Sequence, residues 1–159
     1  MPKMTTCLWF DNEALEAARF YCSIFKKSKM LDIARYGPGM PKPEGSVLTV
    51  RFRILGQEFM ALNGGNNFKF NPAISLMVPS KTQKEIDYYW KKLTDGGKEV
   101  QCGWLEDKFG LSWQIVPADL GKIVSGKDKE ATNRVMQAVM GMVKLDIKTL
   151  KAAYKKKGK

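Results

Sequence analysis

The most reactive side chains in this chain are its three cysteines, Cys7, Cys22 and Cys102, and their chemistry is limited by a missing residue: none of the 159 positions is histidine. Without an imidazole there is no Ser-His-Asp or Cys-His couple to activate a nucleophile, and no HExxH zinc helix. A cysteine nucleophile would need another basic neighbour to lower its pKa. Cys7 lies in an apolar run and reads first as a small buried hydrophobe. Cys22 falls on a helical stretch as a packing residue, and Cys102 stands two residues before Trp104 in a strand-like run. No CxxC pair exists, and an odd, widely spaced set fits free thiols in a reducing compartment. There is no GxxxxGK[ST] phosphate loop, and no GxGxxG follows a strand, so a nucleotide-type cofactor has no evident cradle. Asn63-Gly64-Gly65 is a lone glycine turn and reads as a connector.

The elements that must position these groups come in an order that repeats. Met4–Phe10 predicts a strand, and Asp11 or Asn12 offers an N-cap to a helix whose apolar stripe is Ala14, Ala17, Ala18, Tyr21, Ile24 and Phe25. Strands are expected near Met30–Tyr36, Ser46–Ile54 and Gln57–Asn63, with a Gly/Pro-rich loop from Gly37 to Gly45 and a tight turn at Leu55-Gly56. The order then restarts. Ala73–Val78 predicts a strand, Thr82 and Glu85 have capping-box spacing, and Ile86, Tyr89, Trp90 and Leu93 form the next helical stripe, which Gly96-Gly97 ends. Val100–Leu105 and Leu111–Val116 read as strands around an Asp107–Gly110 turn, one strand fewer than in the first half. Sliding the chain by 68 places matches Leu8 with Leu76, Phe10 with Val78, Ala18 with Ile86, Phe20 with Tyr88, Tyr21 with Tyr89 and Phe25 with Leu93. Shared order and spacing point to a duplication. The expected organisation is a repeat over 1–66, a second over 67–118, and a helical extension over 119–159, with helices at 131–142 and 145–154.

Composition sets the class. Hydrophobic content of 44% and charged content of 27% are globular values. The net charge is +11, of which Lys144–Lys159 alone contributes +6. A basic end of this kind reads as a solvated tail before it reads as a nucleic-acid contact, and no aromatic-basic interleaving accompanies it, so nucleic acid is not the expected partner. No stretch reaches the length of a membrane span and the N-terminus lacks a signal-peptide layout, so the expected setting is the cytoplasm, without membrane contact.

Three stretches carry a family resemblance: Cys7-Leu8-Trp9-Phe10-Asp11, Ala61-Leu62-Asn63-Gly64-Gly65, and Cys102-Gly103-Trp104-Leu105 through Asp107-Lys108-Phe109-Gly110-Leu111-Ser112-Trp113-Gln114. The last resembles a superfamily hairpin of the form D-P-F-G-N-x-W-E-L, with Lys108 in place of the proline, Leu111 of the asparagine and Gln114 of the glutamate. The chain thus resembles the PhnB-like branch of the vicinal-oxygen-chelate (glyoxalase/bleomycin-resistance/dioxygenase) superfamily, often labelled 3-demethylubiquinone-9 3-methyltransferase.

The resemblance implies an α+β fold of two βαβββ repeats, whose curved mixed sheets form a cup with the helices outside and extra C-terminal helices. It also implies metal-ligand positions at Thr5, Ala61 (register uncertain by one), Ala73 and Gln114. Two of these are alanine and none is an imidazole or carboxylate, so no metal and no cofactor is expected. Strand alternation from those positions puts Thr5, Cys7, Trp9, Ala61, Asn63, Ala73, Ser75, Met77, Ser112 and Gln114 on the cup side, with Cys102 and Trp104 as further candidates. Trp113 points the other way, into the core. The mixture of aromatic, thioether, hydroxyl and amide groups suits an apolar pocket with a few orienting polar groups. The leading reading is a metal-independent small-molecule-binding protein in which Gln114 orients the ligand. The alternatives are a metal-free enzyme acting on a small metabolite with Cys7 as nucleophile, and nucleic-acid binding through the basic tail. A homodimer is expected, with Met136, Met140 and Met142 as a candidate interface.

Overall fold

A computed structural model describes residues 4–155 of the chain. Its described residues form two units, divided between Phe70 and Asn71. The first holds β1 (Thr6–Phe10), α1 (Ala14–Ile24), β2 (Lys29–Arg35), β3 (Val47–Ile54) and β4 (Gln57–Asn63). The second holds β5 (Ser75–Ser80), α2 (Gln83–Leu93), β6 (Lys98–Glu99), β7 (Trp104–Glu106) and β8 (Ser112–Pro117), then α3 (Leu120–Val124), α4 (Lys129–Met140) and α5 (Ile147–Lys155). The sheets have the same plan, β1-β4-β3-β2 and β5-β8-β7-β6. In each, the first strand lies parallel to the last and every other pair is antiparallel. The fold is therefore α+β: two open, four-stranded mixed sheets of βαβββ order, with extra C-terminal helices.

In the first unit α1 covers one sheet face. Ala14, Ala17 and Ala18 are fully buried, so the helix backbone can approach the sheet closely, and Tyr21 and Ile24 continue the stripe. They meet Leu8 and Phe10 of β1, Val50 and Phe52 of β3, and Phe59 and Ala61 of β4, all buried. Tyr21, Phe52 and Phe59 stack in series, with ring centroids 6.1 and 5.5 Å apart. Each such large side chain contributes about 1.5–3 kcal/mol on burial. The N-terminus of α1 is not capped from Asp11 or Asn12 as the local sequence suggests. The amide oxygen of Asn63, at the end of β4, accepts from Ala14 N at 2.9 Å instead.

The second unit repeats this on α2, where Ile86, Trp90 and Leu93 are buried. Here the predicted capping box is formed: Glu85 N donates to Thr82 Oγ1 at 3.2 Å, and Thr82 N donates back to Glu85 Oε2 at 3.2 Å. Of the residues matched by the offset of 68, Phe10 and Val78, Ala18 and Ile86, and Phe25 and Leu93 are buried in both copies. The strand absent from the sequence reading is β6, only two residues long. The run expected as one strand from Val100 to Leu105 is broken because Cys102 and Gly103 both adopt positive φ, 63° and 81°.

That corner is where the helical extension docks. Cys102 N donates to Met142 O at 2.8 Å and Gly103 N to Val143 O at 2.7 Å. Gly103 is required: a Cβ there would lie 2.9 Å from both Ile115 O and Leu145 Cγ. Val116, Val135, Val139, Leu145 and Leu150 form a separate core for the extension, with Cys102 and Met142 packed against it. Among the described residues no helix is long and apolar enough to cross a membrane.

Candidate functional site

In each unit the sheet face opposite α1 or α2, the open face, is not covered by that helix, although the extension's core packs on Val116 at one end of it in the second, and strand register decides which side chains share it. In the first sheet Cys7 pairs with Met60 and Trp9 with Leu62, while Leu8 pairs with Ala61 and Phe10 with Asn63. Paired neighbours point the same way. The open face therefore carries Cys7, Trp9, Met60 and Leu62. Ala61 and Asn63, expected beside Cys7, lie on the opposite, helix-covered face. Asn63 is 4% exposed and fully used: beside its bond to Ala14, its Nδ2 donates to Val47 O at 3.0 Å and its carbonyl accepts from Tyr36 OH at 2.5 Å. It is a structural residue. Thr5 is exposed, one residue before β1.

The rest of the open face of the first sheet is ionic. Arg51 pairs with Asp32 at 2.8 Å and with Glu58 at 3.1 Å, and Arg53 with Glu58 at 2.5 Å. These hydrogen bonds from Arg53 and Arg51 hold the Glu58 carboxyl below its ordinary range. Trp9 Nε1 donates to Gly65 O at 2.7 Å, and Phe68 meets its ring edge-on at 5.0 Å. Gly64 lies against the indole so closely that a Cβ there would fall 2.3 Å from Trp9 Cζ2. Cys7 is exposed rather than the buried hydrophobe its apolar run suggests, because it lies on the face opposite α1, yet partial desolvation still raises its thiol above the ordinary value, as it does for the half-buried Cys22. Cys7 is accordingly a neutral thiol at pH 7, which is the weak form for nucleophilic attack.

In the second sheet Gln114 stands between Met77 of β5 and Trp104 of β7, and Ser112 between Ser75 and Glu106. Ser75, Met77, Trp104, Ser112 and Gln114 thus share the open face. Gln114 Nε2 donates to Ser75 Oγ at 2.8 Å. Ser112 is 1% exposed, and its hydroxyl has no hydrogen-bond partner among the described residues. Glu106 is paired with Lys98 at 3.1 Å. Cys102, expected with this group, is turned away by its left-handed backbone and packs on the extension core.

What holds this face in place is the first residue of the turn between β7 and β8. Asp107 is 3% exposed; its Oδ1 accepts from Phe109 N at 2.9 Å and Leu111 N at 3.1 Å, and its Oδ2 from Trp113 Nε1 at 2.8 Å. That pins Trp113, 1% exposed, on the helix side and so sets Ser112 and Gln114 outward. The sequence signal is the Asp at the head of the Asp107–Gly110 turn, since an Asp carboxylate accepts from the backbone N–H two residues on in an Asx turn.

The four metal positions of the resembled superfamily do not make a donor set here. Thr5 is exposed, Ala61 is a buried methyl, Ala73 lies in the turn before β5, and the Gln114 amide is engaged by Ser75. Among the described residues no group of three or more Cys, Asp and Glu side chains could hold a cation. A nucleotide-type methyl donor fits no better. The turns into α1 and α2 contain no glycine, and each already holds a carboxylate: Glu13 Oε2 accepts from Asn12 N, and Glu85 Oε2 from Lys81 N and Thr82 N.

Fold and face together define a glyoxalase-superfamily protein of the PhnB-like kind. The chain belongs to the 3-demethylubiquinone-9 3-methyltransferase family, which matches residues 2–116. Among solved structures, the PhnB protein of Bacillus cereus is 40% identical, with a TM-score of 0.68 over 74% of this chain and 100% of that one. A protein from Pseudomonas aeruginosa, 16% identical, has a TM-score of 0.61 over 74% of this chain and 98% of its own. The genomically encoded fosfomycin resistance protein FosX of Listeria monocytogenes, 12% identical, has a TM-score of 0.52 over 76% of this chain and 94% of its own. These last two share the fold alone. No curated protein matches the chain.

Proposed function

We propose that this protein binds a small organic molecule without a metal, through the open face of the second sheet. The observation that carries this reading is the hydroxyl of Ser112, buried and unpartnered beside Ser75 and Gln114. A buried polar group without a partner costs about 1–3 kcal/mol, so it marks a place built for another polar atom. The Ser75 hydroxyl proton and the Gln114 carbonyl are available next to it, and Met77 and Trp104 supply apolar contact. The ligand this suits has an apolar or aromatic body and one or two groups able to both donate and accept hydrogen bonds. The family's methyl-transfer description and the resistance role of FosX are not needed for it. The enzyme reading through Cys7 is disfavoured, because that thiol's pKa is raised by partial desolvation rather than lowered by a neighbouring cation.

Native mass spectrometry of the purified chain, followed by a fragment screen read on backbone amides of β5 and β8, tests the proposal. The expected result is a metal-free species whose retained or added ligand perturbs Ser75, Ser112 and Gln114, with affinity lost about tenfold in Gln114→Ala. A stoichiometric divalent metal, or fragments that bind Gln114→Ala as well as the wild type, would overturn it. We also propose a homodimer. Met140 is 66% exposed on α4, whereas Met142 is taken up by the extension's own core. A concentration-independent monomer in analytical ultracentrifugation would exclude it.

A further inference from the structure

The helical extension forms a groove of about 560 Å³ with the turn that leads into α2. Lys81 and Thr82 line one wall; Lys148, Lys151 and Lys155 of α5 line the other, beside Ile147. The α5 lysines recur at i, i+3 and i+7 and so fall on one helix face, while Lys81 reaches the groove from a distant part of the chain. Among the described residues no carboxylate lines the groove. Of the acidic groups on the surrounding elements, Glu85 accepts from Lys81 N and Thr82 N, Asp87 is paired with Lys144 at 2.6 Å, and Asp146 accepts from Thr149 N and Oγ1 and also feels Lys148, while Asp119 lines a neighbouring cavity with Lys151 and Lys155. Among the described residues none of the four groove lysines forms an ion pair within 4.0 Å. Four exposed ammonium groups around one concavity repel each other weakly in water, and an anion seated between them turns that repulsion into attraction.

We infer that this groove binds a triphosphate chain. Lys148 and Lys155 are about 10 Å apart along the helix axis, too far for one phosphate to serve both, whereas linked phosphoryl groups with about four negative charges match the four lysines in charge and reach. Thr82 Oγ1 accepts from Glu85 N and keeps its proton to donate to a phosphoryl oxygen. The lysines act as point charges, without the glycine loop that would orient a nucleotide, so recognition is of the phosphate chain, free or carried by a nucleoside. The inference is independent of the ligand face on the second sheet.

Calorimetric titration of the full chain with sodium tripolyphosphate tests it, with adenosine triphosphate and a mixed-sequence single-stranded 20-mer DNA as comparison arms. The expected result is saturable one-site binding of tripolyphosphate, weakened at least about tenfold in Lys148→Gln/Lys151→Gln and about threefold in Lys81→Gln. Adenosine triphosphate binding within about threefold of tripolyphosphate supports chain recognition, and tighter binding assigns the chain to a nucleotide. The charge-matched control Lys91→Gln/Lys92→Gln, on the exposed last turn of α2, should stay within about twofold. Circular dichroism verifies that each variant folds. The proposal fails if the control loses as much affinity as the groove variant, or if Lys81→Gln has no effect. It also fails if DNA binds more tightly than tripolyphosphate with a steep salt dependence, which would make the lysines a nucleic-acid surface.

Discussion

The two repeats share one strand order, yet the open face of the first sheet is satisfied within itself and that of the second is not. In the first, Asp32, Arg51, Glu58 and Arg53 form a continuous ionic ladder, and Trp9 is closed in by Gly64, Gly65 and Phe68. In the second, the charges are confined to one Lys98–Glu106 pair on the β6–β7 side, and Ser112 has no hydrogen-bond partner among the described residues beside Ser75 and Gln114. The repeats also differ in what holds their helices. α1 depends on Asn63 from the far end of its sheet, whereas α2 carries its own capping box. Duplication of a topology therefore does not duplicate the polar contacts that secure it: α1 is capped from the far end of its sheet, whereas α2 is capped locally and tied to the extension through Gln83.

The largest effect that would sharpen this contrast is at Asp107. Asp107→Ala leaves two backbone N–H groups and the Trp113 indole N–H without an acceptor in a buried site. A loss of about 3–5 kcal/mol is expected in urea unfolding. Amide exchange should rise most in β7 and β8, and an equal rise in the first sheet would mean the repeats are not separately secured.

Next come the two helix caps. Asn63→Ala removes the Ala14 cap and the Val47 bond from a buried position and should cost about 2–3 kcal/mol. Thr82→Ala removes one exposed local cap and should cost about 1 kcal/mol. Equal losses from the two substitutions in the same unfolding experiment would remove the distinction between long-range and local capping.

The smallest effect is that of pH on the ionic ladder. The Glu58 carboxyl is held below its ordinary value by hydrogen bonds from Arg53 and Arg51. Its folded pKa is thus lower than its unfolded one. The sign follows: its contribution is fully present above the unfolded value, near pH 4.5, and is lost as pH falls through the folded one. Wild type should show a slightly steeper acid loss of stability below about pH 4.5 than Glu58→Gln. Identical acid slopes for the two proteins would show that the ladder contributes nothing.

Much of the fold was legible because it rests on local chemistry. The apolar stripe of α1, the Thr82–Glu85 box and the offset of 68 are patterns of period and spacing, and each corresponds to an observed element. The face assignment of Trp113 followed from alternation with Gln114, and the structure buries it on the helix side. Alternation could not do the same for β4. Phe59, Met60, Ala61 and Leu62 are apolar on both faces, so the pattern carries no sign of which is which. Nor could it reveal the role of Cys102, a non-glycine residue in a left-handed conformation within an otherwise strand-like run.

By itself, the sequence determined the repeated element order, the helix stripes, and the exclusion of histidine-dependent and glycine-loop chemistry, because these depend only on which residues are present and how they are spaced. Tertiary structure decided the rest. The parallel register of β1 on β4 turned Asn63 from the open face into a helix cap, the docking of Met142 and Val143 bent Cys102 away, and the meeting of α5 with the turn before α2 gathered Lys81 with three tail lysines. Each of these joins residues far apart in the chain, and the partner that fixes a side chain's direction in such a contact leaves no mark in its own local sequence.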